Sequence, residues 1–336
     1  MGFALVLGAG GTVGLAYHAG VLKALEEEAG LVADDAEVVI GTSAGSVAAA
    51  YLRSGWSAAQ MWELVNAAPG LPPSPEADRR LDMPDLFVAA FRTPTELVRR
   101  AMGSAFVLTR SMVRAPLPVL PAGLGRLFPG GLFEMAEGRR RFDEELPAHW
   151  PERLLWLCAV DIVSGRRIVL GRRGAPHLSL ARAVMASCAI PGVYPPVRYG
   201  RRQLIDGGAH STTNLDLAAG HEVVIGVVPM GFDRQAPPGP LRALSRGFAN
   251  QALATEVGRV RRRGANVLLF LPTASEVRRH GLNMMRSGSL LPVAQAAYQS
   301  TVRRLSEPRY AEAFAELRRQ AADRRRRGST APGEAC

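Results

Sequence analysis

The first 53 residues contain two successive units in which an apolar strand, a glycine-rich turn and a helix follow one another. In the first unit the apolar run Phe3–Leu7 meets the glycine-rich segment Gly8–Gly14. In the second unit the β-branched run Val38–Ile40 meets Gly41–Gly45. Each turn leads into a segment with helical apolar spacing. Repeated strand–turn–helix units are typical of α/β domains with a mainly parallel sheet, so this order strongly limits the possible folds.

Further apolar runs predict the rest of the sheet and its helices. The predicted strands are Leu154–Val160, Arg167–Leu170, Gln203–Ile205, Val223–Val228 and Val267–Leu271, and the later helices are Leu178–Ser187, Leu241–Arg261 and Arg309–Arg327. A chain of 336 residues buries about three quarters of its unfolded surface, so its core needs neither a disulfide nor a metal. We expect one domain over residues 1–315, followed by an arginine-rich helix end and tail over residues 316–336.

Residues 70–150 depart from this pattern and predict a helical insertion or cap. Within them, Leu86–Leu132 mixes phenylalanine and leucine with arginine. That mixture suits an amphipathic cap at a membrane interface, and it suits equally a cap packed on the core. The formal net charge of +11 favours an anionic lipid surface as a partner, with solvated arginine faces as the alternative. Nucleic acid is not expected, because no basic stretch is interleaved with aromatic residues.

The cysteines and the hydropathy bear on location. Cys158, Cys188 and Cys336 are widely spaced and form neither a disulfide framework nor a zinc pattern. No uncharged apolar run reaches about 18 residues, as a membrane span requires. No basic stretch precedes Phe3–Leu7, as it would in a secretory signal. We therefore expect a cytoplasmic protein, with peripheral membrane contact as an option, and no metal site.

The segment Gly41–Gly45 matches the pattern G-x-S-x-G, with Ser43 at its centre. A serine on a tight strand-to-helix turn is exposed to substrate, and such a turn needs small residues on both sides. The free N–H groups of the following helix favour negative charge at the serine oxygen. Ser43 is therefore a candidate nucleophile, with an ordinary helix N-cap as the alternative.

The earlier segment Gly8–Gly14 offers backbone N–H groups that can converge on an anion. Gly8, Gly10 and Gly14 resemble a dinucleotide-binding fingerprint, but no acidic residue follows the second strand to bind a ribose. The second interpretation is an oxyanion hole formed by the N–H groups of Gly10 and Gly11 beside Ser43. The third is a turn that only allows close packing.

A third motif, Asp206–Gly208, follows the strand Gln203–Ile205, at the sheet edge where α/β proteins bind ligands. Asp-Gly is also a common turn, so the motif alone is ambiguous. A carboxylate with a pKa of about 4 is a weak base, but burial beside a serine would raise its pKa and strengthen it. Asp206 is therefore a candidate base. The alternative is a Ser–His–Asp triad, in which His210 would be the base.

Taken in order, these motifs resemble those of patatin-like phospholipases. The resemblance spans about residues 3–230 and rests on Gly8–Gly14, Gly41–Gly45, Ser187–Pro191 and Asp206–Gly208. It implies a three-layer α/β/α sandwich hydrolase that cleaves lipid acyl esters with a Ser–Asp dyad, without histidine, metal or organic cofactor.

Carried over to this sequence, the resemblance assigns Ser43 as nucleophile, Asp206 as base, and Gly10 and Gly11 as oxyanion glycines. The remaining motif glycines are Gly8, Gly14, Gly41, Gly45, Gly207 and Gly208.

The sequence departs from the family pattern at two places. Val13 stands where the family often has a basic residue, which bears on rate and on headgroup preference. Asn214–Asp216 lacks the proline of the usual Asn-Leu-Pro run, which concerns a turn. Two other functions stay open: an NAD(P)-dependent oxidoreductase that uses Gly8–Gly14, and a catalytically silent lipid-binding protein of the same fold.

Overall fold

The computed structural model describes residues 2–66, 88–112, 130–233, 238–286 and 290–329. In these residues a central sheet lies between two layers of helices. The strands are β1 (Phe3–Leu7), β2 (Val38–Thr42), β3 (Val88–Ala89), β4 (Phe133–Glu134), β5 (Leu154–Asp161), β6 (Arg166–Leu170), β7 (Val197–Tyr199), β8 (Arg202–Asp206), β9 (Val223–Val227) and β10 (Asn266–Phe270).

Helices surround this sheet and extend to the end of the described chain. They are α1 (Gly11–Ala29), α2 (Ala44–Arg53), α3 (Ala58–Asn66), α4 (Pro94–Met112), α5 (Ala136–Glu145), α6 (Leu180–Ser187), α7 (Pro240–Arg261), α8 (Ala274–His280), α9 (Leu291–Leu305) and α10 (Pro308–Ser329). None of the helices in the described ranges combines the length and the hydropathy needed to cross a bilayer.

The central sheet has the order β10-β9-β1-β2-β5-β8-β7, and β6 pairs with β5. Strands β10, β9, β1, β2 and β5 are mutually parallel along this order, whereas β6, β7 and β8 join by antiparallel pairing. Leu7 is in register with Gly41. The turns that follow β1 and β2 therefore leave the sheet side by side at one edge.

The two sheet faces pack against different helices because side chains alternate along each strand. Leu5 and Leu7 of β1 face a core cluster that includes residues of α1, α2, α6, α9 and α10. Ala4 and Val6 face the second cluster, to which α7 contributes Leu253. All of β1 and β2 is buried, as uninterrupted apolar runs require in a sheet covered on both sides. The architecture is the expected three-layer α/β/α sandwich with a mainly parallel sheet.

The elements predicted from sequence form within a few residues of their expected bounds, whereas several others were not predicted. Strand β7 and helices α8 and α9 belong to the second group. The predicted insertion holds α4 and α5, and it also contains a short antiparallel ladder between β3 and β4 that the helical interpretation lacked. Residues 67–87, 113–129 and 330–336, which belong to the predicted cap and tail, lie outside the described residues.

Candidate active site

Ser43 lies in the turn between β2 and α2, and its backbone is held in an unusual conformation. Its φ is 54° and its ψ is −123°, a region that costs a non-glycine residue about 1–3 kcal/mol. The Ser43 N–H donates to Ser187 Oγ at 3.0 Å, and Ser187 Oγ donates to the Cys158 carbonyl at 2.7 Å. Ser46 Oγ donates to the Ser43 carbonyl at 2.6 Å. The predicted turn is therefore anchored on both sides of its strained residue.

The glycines beside Ser43 are required by close backbone contacts. A Cβ on Gly41 would lie 2.5 Å from Ser46 Cα, and a Cβ on Gly45 would collide with the Leu7 carbonyl. The start of α2 thus approaches the end of β1 more closely than any side chain allows. This contact brings the Ser43 turn against the Gly8–Gly14 loop.

Asp206 ends β8 and lines the same cleft as Ser43. Only 5% of Asp206 is exposed. Its Oδ1 accepts the Gly208 N–H at 2.7 Å. Burial raises the pKa of Asp206 to about 6, and interactions with the Ser43 side chain and the Gly208 N–H oppose that rise. The carboxylate is therefore a stronger base than an exposed aspartate, yet it is still ionised at neutral pH.

The Gly8–Gly14 loop forms the other side of the candidate site. The N–H groups of Gly8 and Ala9 donate to Val227 and Thr212 carbonyls at 2.9 and 2.7 Å. Within the described residues, no hydrogen bond engages the N–H of Gly10 or Gly11. These two donors are the ones that the oxyanion interpretation requires.

Segment 281–286 holds the glycine loop from outside. Gly11 has a φ of +57°, and a Cβ there would lie 2.6 Å from both the Met284 carbonyl oxygen and Met285 Sδ. The Val13 N–H donates to the same Met284 carbonyl at 3.1 Å. Thr12 Oγ1 donates to the carbonyls of Met284 and Arg286. The loop position therefore depends on residues about 270 positions away in the sequence.

His18 fixes the loop from the helix side. Its Nε2 lies 2.7 Å from the Gly8 carbonyl oxygen, to which a protonated Nε2 donates. Burial lowers the pKa of His18 to about 4, so the ring is neutral at physiological pH. This contact ties α1 to the residue that directly follows β1.

Arg246 on α7 is a buried cation behind the same loop, and the sequence offered no signal for it. Its Nη1 donates to the Pro229 carbonyl at 2.7 Å and to the Gly231 carbonyl at 3.2 Å. Its Nη2 lies 3.5 Å from Met284 Sδ. Burial lowers the pKa of Arg246 to about 10, which leaves it charged at neutral pH. Arg246 thus links segment 281–286 to Pro229, whose Cβ would lie 2.9 Å from a Cβ on Gly10.

Asn214 connects the chain after Asp206 to the strand before Ser43. It adopts a left-handed conformation with a φ of 53°. Its Nδ2 donates to Thr42 Oγ1 at 3.0 Å, and its Oδ1 accepts from Arg167 at 3.1 Å. Thr42 directly precedes Ser43, so this hydrogen bond ties the two predicted motifs together. The sequence interpretation treated this region only as a turn without its usual proline.

Two clefts meet at Ser43 and Gly11. The first is almost wholly apolar and has an empty volume of about 700 Å³, lined by Gly11, Thr12, Leu15, Ser43, Ala44, Val47, Tyr51, Met135, Gly138, Arg141, Phe142, Cys188, Ile190, Tyr194 and Met285. The second is more open, with about 860 Å³, lined by Ala9, Gly10, Gly11, Ser43, Leu108, Ile190, Pro191, Asp206, Gly208, Ala209, Thr212, Met230, Met284 and Met285. Apolar side chains thus make up most of the lining of both clefts, so the site suits apolar groups on both sides of the serine.

His210 and Cys188 are the other reactive side chains considered for this site. Among the described residues His210 lines neither cleft, and no group of three or more metal-ligating side chains occurs there. Cys188 lines the apolar cleft, and burial raises the pKa of its thiol to about 12. The thiol is therefore protonated at neutral pH and is a weak nucleophile.

Comparison with known proteins places the chain in a family. The family model described as patatin-like phospholipase matches residues 5–219. Similar solved structures include VipD from Legionella pneumophila, which is 16% identical with a TM-score of 0.43; the alignment covers 90% of this chain and 66% of that chain. The type III effector protein ExoU is 17% identical with a TM-score of 0.39, and 92% of this chain and 53% of that chain are covered.

A third similar structure is the ExoU–SpcU complex from the type III secretion system of Pseudomonas aeruginosa. It is 19% identical, its TM-score is 0.38, and the alignment covers 92% of this chain and 52% of that chain. This protein thus spans about half to two thirds of the length of these chains. Comparison with the curated proteins gives no significant match. Because the family model covers well over half of its residues, the chain belongs to the patatin-like phospholipase family.

Proposed function

We propose that this protein is a lipid acyl hydrolase, of phospholipase A or esterase type, that cleaves carboxylic esters through Ser43 and Asp206. One observation carries the proposal. The strained Ser43 shares a cleft with the buried carboxylate of Asp206, whose pKa is raised. Two unengaged backbone N–H groups lie beside it, and apolar clefts lie on both sides. Family membership supports the reaction class.

In the proposed first step, Ser43 Oγ attacks the ester carbonyl while Asp206 accepts the hydroxyl proton. The carbonyl π electrons move to oxygen and give a tetrahedral oxyanion, which the N–H groups of Gly10 and Gly11 stabilise. The oxyanion collapses, the C–O bond to the alcohol breaks, and the proton passes from Asp206 to the leaving oxygen. An acyl-enzyme on Ser43 remains.

In the second step, a water molecule gives a proton to Asp206 and attacks the acyl carbonyl. Collapse of the new oxyanion breaks the bond to Ser43 Oγ, which recovers the proton, and the fatty acid is released. Asp206 can act in both steps because its pKa of about 6 lies near neutral pH, where a general base is most effective.

In this proposal the two clefts bind different parts of the substrate. The apolar cleft holds the acyl chain, because its walls offer aliphatic and aromatic side chains such as Leu15, Val47 and Phe142. The more open cleft, lined by Met230 and Met284, receives the alcohol portion. The substrate is therefore a lipid or phospholipid, and no cofactor takes part.

A cytoplasmic location with peripheral contact to an anionic membrane completes the proposal. Two described cysteines, Cys158 and Cys188, are free thiols, which suits a reducing compartment. The net charge of +11 favours an anionic surface.

The experiment compares the purified protein with its Ser43→Ala variant on phospholipid vesicles and on a soluble nitrophenyl ester. We expect release of free fatty acid from phospholipid by the wild-type protein and none above background by the variant. Vesicle binding without hydrolysis of either substrate would instead identify a catalytically silent lipid-binding protein. A change in nicotinamide fluorescence on mixing would favour the oxidoreductase.

A further inference from the structure

Helix α4 has its large apolar side chains on the solvent side. Val98, Met102 and Phe106 are spaced four residues apart, lie on one face, and are 58%, 55% and 40% exposed. The packed side of the helix carries Gly103, Ser104 and Val107, which are buried. A helix that covers a protein core normally shows the reverse arrangement. Among the described residues, therefore, none gives the exposed face of α4 the apolar contact that its side chains favour.

The packed side of α4 is anchored, so its orientation is fixed. Ser104 Oγ accepts the Gly131 N–H at 3.0 Å, and Arg100 donates to the Gly131 carbonyl at 3.2 Å. Val107 joins a small apolar cluster with residues of β5 and β8. These contacts hold the Val98–Met102–Phe106 face outward.

Exposed apolar side chains concentrate on this segment. Six of the ten large apolar side chains that are exposed in the described residues lie between positions 88 and 108: Val88, Leu97, Val98, Met102, Phe106 and Leu108. Single exposed apolar residues are ordinary, whereas a contiguous group marks an interaction site.

The same helix reaches the mouth of the candidate active site. Leu108, which is 41% exposed, lines the open cleft together with Ser43 and Asp206. Met284 of segment 281–286 lines that cleft too, and Leu282 of the same segment is 64% exposed. The helix that carries the exposed face therefore also borders the open cleft beside Ser43.

Exposed arginines accompany both apolar groups. Arg92 and Arg99 belong to α4 or directly precede it, and Arg278 and Arg279 directly precede segment 281–286. Arginine beside exposed apolar side chains is the pattern of helices that lie in the interface of anionic membranes. Each basic residue near such a surface contributes about 1 kcal/mol of attraction.

We propose that α4 docks on a lipid surface through Val98, Met102 and Phe106, so that the open cleft faces the bilayer. The choice of a lipid surface over a protein partner rests on the proposed function, because a lipid acyl hydrolase receives its substrate at this mouth. The α4 face enters the apolar region, and the flanking arginines contact anionic headgroups.

The test is sedimentation with vesicles, using the Ser43→Ala protein so that the lipid is not consumed. The vesicles contain phosphatidylcholine alone or with phosphatidylglycerol. The test variant is the triple Val98→Gln, Met102→Gln and Phe106→Gln. The matched control is Leu154→Gln, because Leu154 is 52% exposed but begins β5, at the sheet edge opposite the carboxyl ends of the parallel strands. We expect binding to anionic vesicles to fall at least tenfold in the triple variant and to stay within twofold in the control.

Equal binding by the triple variant and the control would overturn the proposal. A wild-type dimer in solution that the triple variant lacks, without any difference in vesicle binding, would also overturn it and would assign the face to a second copy of the chain. A fluorophore at Met102→Cys gives a second measurement that does not depend on the triple variant. Its emission should shift to shorter wavelength on anionic vesicles, and an unchanged spectrum contradicts docking.

Vesicle binding through α4 and ester hydrolysis through Ser43 can be measured separately. With Ser43 present, the triple variant should hydrolyse a soluble ester at the wild-type rate, because the three residues line neither cleft. Vesicle binding through α4 without ester hydrolysis by the wild-type protein would sustain the docking face and refute the hydrolase. Ester hydrolysis by the wild-type protein, together with undiminished vesicle binding by the triple variant, would sustain the hydrolase and refute the docking face.

Discussion

The two glycine turns of the candidate site are stabilised by different parts of the chain. The Ser43 turn is fixed mainly by its own neighbours and by the core, through Ser46, Ser187 and the close approach of Gly45 to β1. The Gly8–Gly14 loop is positioned by Met284 and Arg246, which are far from it in sequence. The Ser43 turn thus combines a local motif with a contact to the buried Ser187, whereas the glycine loop depends on segment 281–286 and on Arg246.

This difference predicts how substitutions at the two turns should behave. Changes at Ser43 and Asp206 remove reacting groups and should abolish chemistry outright. Changes around the glycine loop move donors that remain present, and they should reduce kcat by smaller, graded amounts.

The largest effect is expected for Ser43→Ala. Loss of the nucleophile should lower kcat roughly a thousandfold or more without unfolding the protein. Ser46→Ala is the matched control, because Ser46 lies three residues away and loses one hydrogen bond to the Ser43 carbonyl, worth about 1 kcal/mol or fivefold. Rates on a soluble nitrophenyl ester measure both. Wild-type turnover by Ser43→Ala would exclude Ser43 as the nucleophile.

Asp206→Asn should be nearly as damaging, because an amide preserves the shape but cannot accept the serine proton. The control is Asp161→Asn, a buried aspartate on β5 whose carboxylate binds the N–H groups of Val163 and Gln203. It should affect thermal stability more than kcat. A His210→Ala variant that loses activity while Asp206→Asn keeps it would replace the dyad with a histidine base.

Gly11→Ala should lower kcat by about a hundredfold, the cost of a misplaced oxyanion donor. Its Cβ would press on the Met284 carbonyl and on Met285. Gly30→Ala is the control at the other end of α1, because its φ of +62° matches the +57° of Gly11 and its nearest neighbour is an ordinary 3.6 Å away. Both variants are strained, but only Gly11→Ala should lose activity. Equal kcat values for the two variants would indicate that the Gly8–Gly14 loop only allows close packing.

The pH profile of the wild-type enzyme should follow the raised pKa of Asp206. Above about pH 6 the carboxylate is ionised and accepts the serine proton. Below it the carboxyl is protonated, so kcat should fall about tenfold for each further pH unit, as for any single ionisation. The measurement is kcat on a neutral soluble ester between pH 4 and 8. A fall in kcat centred near pH 4 would mean that the base is a carboxylate exposed to water.

The smallest effect, about fivefold in kcat, is expected for Arg246→Met. It removes hydrogen bonds worth about 1 kcal/mol that position segment 281–286 and Pro229. Arg53→Met is the control, because Arg53 is equally buried and donates to backbone carbonyls at the opposite edge of the sheet. Both should lower the melting temperature. If both also lower kcat equally, Arg246 acts through stability and not through the loop.

The sequence predicted those parts of the molecule that depend on local pattern. The apolar runs of β1 and β2, and the turn around Ser43, follow from residues adjacent in the chain. Asp206 was a candidate base because its motif follows an apolar strand, and the resemblance to the family assigned it that role. The contacts of Met284, Arg246 and Asn214 could not be predicted, because a lone methionine, arginine or asparagine has no periodicity and acquires its partners only through folding. The outward apolar face of α4 was likewise ambiguous, since hydropathy does not tell which side of a helix is packed.

The most direct test of the central claim is labelling with a fluorophosphonate followed by peptide mass mapping. The reagent forms a covalent bond only with a serine that is activated as a nucleophile. We expect the label on the peptide that contains Ser43 in the wild-type protein, slower labelling in Asp206→Asn, and no label in Ser43→Ala. Label on a different residue, or the same labelling rate in the wild-type protein and in Asp206→Asn, would contradict a nucleophile activated by Asp206.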